Sequence, residues 1–547
     1  MKRGQMNTIN QHTLIVGGIQ VPLDIVVGDV CLLAKKRLEK ANIHGRELDA
    51  HIFRRSIDAR KKDSVQFVYS VAVTGFFSKG VIERVTRGEF KQISLLKSGE
   101  PEVILGDAPL TARPLVVGSG PAGLFCALLL AEAGYHPILI ERGGDVSERQ
   151  AAIRRFSKEH TLDTESNVQF GAGGAGTFSD GKLVTRVNDP LCQYVLKTFC
   201  DFGAPKGIMI EAKPHIGTDV LCRIVENMIG RIVALGGEVR YHTKLESLVW
   251  QGDEVVGVRT NGGDIPVGAV VLAIGHSARD TYETLLKDRL MIEPKPFSVG
   301  VRVEHLQEDI DRALYGRFAG HPALGAAEYH LSHDTKGRGV YSFCMCPGGY
   351  VMAAASEPDS VVVNGMSYHA RDGRNANSAI AVSVRCEDYG GTPDGAIAFQ
   401  RKIERAAFQA GGGNYAVPLT TMGDFINGGQ GTAPTRILPT YMDGDHFGLS
   451  TPQAYLPDFI CDALRGGLIA FENKIHGFTT PDALISGAET RTSAPVRILR
   501  EAESRVALQS KNLYPCGEGA GYAGGITSAA LDGIHTALAI MRTYRPM

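Results

Sequence analysis

Almost no net charge is left on this chain: 58 Lys and Arg stand against 59 Asp and Glu, a formal balance of −1 over 547 residues. No long-range field therefore draws it to nucleic acid or to an anionic membrane. No apolar run follows the positive charges of Met1-Lys2-Arg3-Gly4-Gln5-Met6-Asn7, so a secretory signal is not expected. None of the ten cysteines, at 31, 126, 192, 200, 222, 344, 346, 386, 461 and 516, forms a Cys-x-x-Cys pair. That excludes a zinc ribbon and a thioredoxin-like motif. Without secretion, a reducing cytoplasmic compartment and mostly free thiols follow. His330 and His333 form an HxxH with no further ligand set, so no metal is read. The longest apolar stretch, residues 114–134, contains four glycines and fits a buried strand-turn-helix better than a membrane span. Neither an internal repeat nor a low-complexity tract is visible.

What is present is length and glycine. At roughly 100 to 200 residues per domain, the chain calls for two to four domains. Its 65 glycines cluster, as they do where backbone turns tightly or lies against a ligand. Residues 1–108 read as a small α+β domain, with strands over 13–16 and 66–73. Helical spacing over 30–41 puts Leu32, Leu33, Leu38 and Ala41 on one side. The basic groups Arg54-Arg55 and Arg60-Lys61-Lys62 read as a solvated face, with a docking surface for a partner or an RNA as the alternative. Residues 109–275 carry an α/β pattern, and 276–490 a mixed one with strands over 298–303 and 379–384 and a helix over 394–410. Residues 491–547 return to a glycine-rich turn and a helix, so the third segment reads as an insertion into the second.

The strongest motif is Gly118-Ser119-Gly120-Pro121-Ala122-Gly123, entered from the strand Leu115-Val116-Val117 and left by a helix that Gly134 ends. Gly118 allows the turn, Gly120 lets backbone approach a pyrophosphate, and Gly123 lets helix pack on strand. The helix N-terminus supplies free N–H groups for the phosphates. A second strand, Ile138-Leu139-Ile140, ends at Glu141, whose carboxylate suits ribose hydroxyls and disfavours a 2′-phosphate. The combination specifies a dinucleotide site.

Three segments bear on which dinucleotide it is. The motif with Glu141, the strand at 268–275 and the segment at 513–526 together resemble the two-domain FAD oxidoreductases of the glutathione-reductase-like superfamily. Closer still, Gly173-Gly174-Ala175-Gly176-Thr177-Phe178-Ser179-Asp180-Gly181-Lys182-Leu183, Cys344-Met345-Cys346-Pro347-Gly348-Gly349 and residues 489–497 are similar to a bacterial family of FAD-dependent dehydrogenases. That family's name gives a cofactor and a reaction class but no substrate. The resemblance covers nearly the whole chain. It implies an α/β fold: an FAD-binding Rossmann-like domain, an inserted mixed α+β substrate domain and the small N-terminal α+β domain. It also implies that Gly275 lies beside the adenine half of FAD. Gly517 and Glu518 would touch the ribityl-pyrophosphate, and Gly524, Gly525 and Ile526 the flavin O2. Arg142, Gly173, Gly174 and Leu245 join this cofactor-binding set.

The flavin carries the redox chemistry, so catalytic residues can be few. Asp180 and Lys182, in the glycine-rich loop 170–183, are candidate polar groups near the reacting atoms, or a turn cap and its neighbour. Cys346 with Cys344, and separately Cys516, are either redox-active thiols or small buried residues. Arg302, Arg491 and Arg497 either bind a substrate carboxylate or form structural ion pairs. The expected function is an FAD-dependent oxidoreductase acting on a small organic substrate. Flavin monooxygenase is an alternative, although His276-Ser277-Ala278-Arg279 stands where aromatic hydroxylases carry Asp-Gly. A flavoprotein that binds or modifies RNA is a further alternative, disfavoured by the neutral charge. Only one dinucleotide fingerprint is visible, so NAD(P)H, if it is the reductant, would bind transiently in the substrate cleft.

Overall fold

The structure is a computed structural model that describes residues 9–97 and 99–547; the charged N-terminal residues read for a signal lie outside the described residues. Strands Ile9–Val21, Gly45–Asp58, Gln66–Ser78 and Ile93–Leu95 form an antiparallel sheet in the order second, third, first, fourth. Helices Val27–Lys40 and Lys79–Thr86 accompany it. The first helix turns a different side inward from the one expected. Val30, Ala34 and Leu38 are its buried residues, while Leu32 and Leu33 are 55% and 41% exposed. Spacing by four, rather than a cluster of leucines, marks the inner face.

Arg54 is exposed and Arg55 half-buried, and both also contact a loop of their own chain. The backbone of Arg55 donates to the Ile210 carbonyl at 2.6 Å and accepts from the Ala212 N–H at 2.8 Å, and its guanidinium pairs with Glu211. Arg54 donates to the Ala212 carbonyl. The pair docks the N-terminal sheet onto a loop of its own chain. Arg60 bonds Asp58 and stays at the surface.

The glycine motif follows the central strand of a five-stranded parallel sheet. Its order is Leu513–Pro515, Ala269–Leu272, Pro114–Val117, Ile138–Ile140 and Glu238–Arg240. The three central strands are buried at every position, as in a parallel sheet covered on both faces. Helices Pro121–Glu132, Thr218–Ala234 and Ile526–Thr543 pack on one face. The strands Leu245–Gln251, Glu254–Thr260 and Gly263–Pro266, an antiparallel meander, pack on the other.

Between Ala269–Leu272 and Leu513–Pro515 the chain builds a seven-stranded sheet. Its order is Ser332–Thr335, Arg338–Cys346, Asn375–Val384, Phe297–Leu306, Leu484–Glu489, Val417–Thr421 and Phe447–Leu449. Every residue of Phe297–Leu306 is buried. Helices Pro393–Ala410 and Asp458–Glu472 cover this sheet. Where the chain leaves the parallel sheet and where it comes back, Ile292–Pro294 and Val496–Ile498 pair as an antiparallel ribbon. Among the described residues no helix is long and apolar enough to cross a membrane.

The helix after the motif sits so close to its strand that a Cβ on Gly123 would lie 1.8 Å from the Gly118 carbonyl oxygen. Gly123→Ala must push helix and turn apart. It is expected to cost about 2–3 kcal/mol of stability, read as a lower urea midpoint at unchanged m-value.

Candidate functional site

A long cavity of about 1500 Å³, its open mouth included, runs along the C-terminal ends of the parallel strands. Ligands bind at this edge in open α/β sheets. One end reaches Lys244 and Leu245, and the other reaches Phe343, Cys344 and Asn364 of the inserted domain.

Most of the expected cofactor residues line this one wall. Gly118, Ser119, Gly120, Pro121 and Ala122 are on it. So are Glu141, Arg142, Gly174, Leu245 and Gly275. From the C-terminal segment come Glu518, Gly524, Gly525 and Ile526. Gly123, Gly173 and Gly517 stand behind the wall and shape it. Gly173 donates its N–H to the Ser119 carbonyl, and Gly517, at φ +75°, donates to Asp532 at 2.7 Å.

The glycines divide into two kinds. At Gly118 and Gly123 a Cβ would strike backbone of the protein itself. At Gly120 it would meet only the Gly174 Cα, at 3.8 Å, and at Gly275, Gly524 and Gly525 it would meet nothing within 4 Å. The second kind borders the cavity. Packing within the protein does not require glycine there, whereas a ligand lying against the backbone would.

Glu141 is not the free acceptor that its position implied. One carboxylate oxygen accepts from the N–H and the hydroxyl of Ser119, at 3.0 and 2.6 Å. The other accepts from the N–H groups of Gly143 and Gly171, each at 3.0 Å. All four acceptor positions are engaged. Arg142 bonds Glu165 and, through both terminal nitrogens, Asp280, and its guanidinium lies 4.1 Å above the Phe170 ring centroid.

Behind the second glycine patch lies Arg149, fully buried. It donates to the carbonyls of Asn167, Val168, Gly171, Ala172 and Gly174 at 2.7–3.3 Å. Burial pushes its pKa down to about 10. It holds the glycine-rich loop against the motif, yet in the sequence it is one arginine among many on a helix.

Glu518 reaches the cavity with no hydrogen-bond partner among the described residues. Burial pushes its carboxyl up to about 7, opposed by Lys295. Its position is set by Asp532, which accepts from the Gly517 N–H and is itself clamped by Arg500 and Arg505.

The proposed catalytic groups are less available than their lining positions imply. Asp180 is 4% exposed and takes a two-pronged bond from Arg371. Lys182 pairs with Glu328 at 3.3 Å, and Lys213 shares that carboxylate. Cys344 sits at φ +43° in a bulge of its strand, and the Cys346 thiol donates to the Cys344 carbonyl at 3.2 Å. Cys344 is accessible from the cavity yet deep enough that burial pushes its thiol up to about 11. Cys346 is pushed to about 12, and Cys516 is raised by burial too. Protonated thiols are poor nucleophiles, which weighs against a redox role.

The arginines offered for a substrate carboxylate are spent on the protein. Arg302 bonds Glu489 through two nitrogens, and Asn377. Arg491 and Arg279 share Glu404, which is fully buried. Burial alone would raise that carboxyl; the two guanidiniums more than offset it and hold it below the usual range. Arg497 faces Glu293 at 3.8 Å. No group of three or more His, Cys, Asp or Glu able to hold a metal occurs among the described residues, and His330 contacts Arg186 instead.

Sequence reasoning missed His276 and Gln169, both on the cavity wall. Burial, with Arg491 and Arg279 nearby, pushes the imidazole down to about 3, so it is neutral at physiological pH. The only signal was that His276 follows Gly275, where the strand ends.

A cavity bordered by a glycine-rich turn at the edge of a parallel sheet, roofed by an inserted mixed sheet, places the chain among the Rossmann-type dinucleotide-binding proteins. Residues 296–492 match the family model "FAD-dependent protein, C-terminal domain-like", and residues 116–178 match "NAD(P)-binding Rossmann-like domain". Residues 18–74 match a domain of unknown function. A Clostridium beijerinckii protein, named only "Uncharacterized protein", is 45% identical over 538 residues, 97% of this chain and 98% of its own. The chain belongs to this family of FAD-dependent proteins. Among solved structures, the unusual amino acid oxidase NikD is similar at TM-score 0.33 and 13% identity, covering 78% of this chain and 93% of its own. The L-amino acid deaminase from Proteus vulgaris is similar at 0.32 and 13%, covering 82% and 98%. CtdE in complex with FAD is similar at 0.31 and 11%, covering 79% and 84%. Likenesses this distant carry no conclusion about substrate.

The raised carboxyl of Glu518 links folding to pH. Below about 4.5 it is protonated in both states, and as pH rises toward about 7 the unfolded chain ionises while the folded one keeps its proton. Stability contributed at low pH is therefore lost through that window. The apoprotein of Glu518→Gln is expected to gain on the wild type by up to about 3 kcal/mol as pH rises from 4.5 to 7, read from melting temperatures across the range.

Proposed function

We propose that this protein is an FAD-dependent oxidoreductase that transfers a hydride between FAD and a small organic substrate bound under the inserted domain. The observation that carries this reading is the set of glycines at 120, 524 and 525, open to the cavity and required neither by the protein's own packing nor by a left-handed backbone; Gly275 beside them is open too, but its φ of +75° calls for glycine by itself. The second kind of glycine is what a backbone-hugging dinucleotide needs.

Residues fit the parts of FAD in order along the cavity. Gly118 to Gly123 and the helix Pro121–Glu132 would hold the pyrophosphate through free N–H groups and the helix dipole. Leu245 and Gly275 would flank the adenosine. Glu141 would receive the ribose only by giving up the Ser119 hydroxyl, since its acceptor positions are filled. Gly517 and Glu518 would meet the ribityl chain, and the N-terminus of Ile526–Thr543 would face the flavin pyrimidine. Bound there, FAD supplies a two-electron hydride carrier. A helix N-terminus beside the pyrimidine favours negative charge.

The substrate end has neutral walls. Phe343, Cys344, Asn364 and Thr492 face it, and the nearby charges of Asp180, Lys182, Glu489 and Arg491 are each paired within the protein. This supports a substrate recognised by shape and hydrogen bonds rather than by a carboxylate. NAD(P)H, as reductant, would enter the same cleft transiently.

Gly120→Val tests the cofactor site. The added Cβ has room in the protein, its nearest neighbour being the Gly174 Cα at 3.8 Å, and the two methyls beyond it enter the cavity or press on that loop, so the variant is expected to fold, with its melting temperature checked against the wild type, and yet to purify without flavin absorbance. A variant that stays yellow would overturn the placement. Stopped-flow mixing with NADH and with NADPH tests the reductant: the expected outcome is bleaching of the flavin by one of them, and no bleaching by either would remove NAD(P)H from the scheme.

A further inference from the structure

Three side chains on the cavity wall, anchored on a buried carbonyl behind it, form a hydrogen-bond chain that runs in one direction only. The Gln169 amide nitrogen donates to the Ala354 carbonyl at 3.2 Å, which fixes the amide's orientation and leaves its oxygen as an acceptor. That oxygen accepts the Ser277 hydroxyl proton at 3.2 Å. The Ser277 oxygen, its proton committed, lies 2.8 Å from His276 Nδ1 and must accept from it. In a neutral imidazole only one nitrogen carries hydrogen. Nδ1 has it, so Nε2 is a bare acceptor. No protein group meets Nε2 among the described residues, and His276 lines the cavity. Gln169 and Ser277 are each 5% exposed, so water does not compete along the chain.

The place of this acceptor is defined by its neighbours. His276 follows Gly275, and the backbone of Gly275 abuts Gly519 so closely that a Cβ there would lie 2.5 Å from the Gly275 carbonyl oxygen. Gly519 follows Glu518. The backbones that carry His276 and Glu518 therefore run side by side at the cavity wall, which both residues line.

We propose that His276, locked in its Nδ1–H tautomer by Ser277 and Gln169, uses Nε2 to accept a hydrogen bond from a ribityl hydroxyl of FAD and so positions the cofactor. This rests on the placement of the ribityl chain at Glu518 made above. A ribityl chain offers several hydroxyl donors, and an acceptor with a fixed tautomer cannot be satisfied by the pyrophosphate or by any other group that only accepts.

The test measures FAD binding to apoprotein by fluorescence titration, using FAD and its analogues lacking one ribityl hydroxyl each. His276→Leu is expected to weaken FAD about tenfold, the size of one hydrogen bond. Wild type should lose about the same with one deoxyribityl analogue, and His276→Leu should lose nothing further with that analogue. His276→Gln, which restores an acceptor, should recover part of the loss. Ser277→Ala, which removes the Nδ1 partner, should weaken FAD about threefold in the wild type and cause no further loss in His276→Leu; a loss that persists in His276→Leu would mean that Ser277, which also lines the cavity, acts on FAD directly and not through the imidazole. Unchanged FAD affinity in both His276→Leu and Ser277→Ala overturns the proposal, as does an equal loss with every analogue in both proteins. If the wild type binds no FAD, the reading of the site fails first. The imidazole nitrogen NMR spectrum of the apoprotein then still decides the tautomer: the signal lost in His276→Gln must be that of a neutral ring protonated at Nδ1, and a ring protonated at Nε2 or at both nitrogens overturns it.

Discussion

A cation buried without a bonded counter-ion shapes the site. Taking a guanidinium out of water costs several kcal/mol unless its donors are satisfied, and Arg149 satisfies them with backbone carbonyls from 167 to 174. The glycine-rich end of the loop it gathers, residues 171–174, has only the Ala172 methyl to pack. Its remaining N–H groups are also committed: Gly171 to Glu141, Ala172 to the Gly144 carbonyl, Gly173 to the Ser119 carbonyl. Arg149 thus does for this loop what a hydrophobic core does elsewhere. A Cβ on Gly171 would lie 2.5 Å from Arg149 Cδ, so that glycine belongs to the arginine and not to a ligand.

Charge elsewhere around the cavity follows the same rule of internal satisfaction. Arg279, Glu404 and Arg491 knot the strand end of the parallel sheet to the inserted domain. Arg302 and Glu489 cross-brace neighbouring strands of the seven-stranded sheet. Buried pairs of this kind add little net stability, but breaking one member leaves an uncompensated charge. Glu518 is the exception, unpaired and facing the cavity, and its carboxyl is correspondingly the one most sensitive to what enters.

Local patterns made much of this legible in the sequence. The strand-turn-helix at 114–132, the acid at 141 and the glycine segment at 517–526 are short-range signals, and each appears on the cavity wall or directly behind it. The strands over 66–73, 298–303 and 379–384 and the helix over 394–410 were readable for the same reason. What escaped was relational. Nothing near Arg54 and Arg55 announces residues 210–212 as their partners, and nothing near Asp180 announces Arg371. The inward face of the first helix went to Val30 and Ala34 because the sheet beneath it, invisible locally, chose the side. His276 gained its role from Gln169, 107 positions upstream, through Ser277.

The edge strand Leu513–Pro515 joins the parallel sheet next to Ala269–Leu272, with the entire seven-stranded sheet between them in the chain. During synthesis, the motif at 118–123 therefore leaves the ribosome long before the segment that meets the far half of the cofactor. A nascent chain holding only the first half can offer a phosphate loop but no Glu518 and no helix at Ile526. With FAD placed as proposed, its capture waits for that last segment, and a bound flavin would report that the whole chain, inserted domain included, has been made and folded.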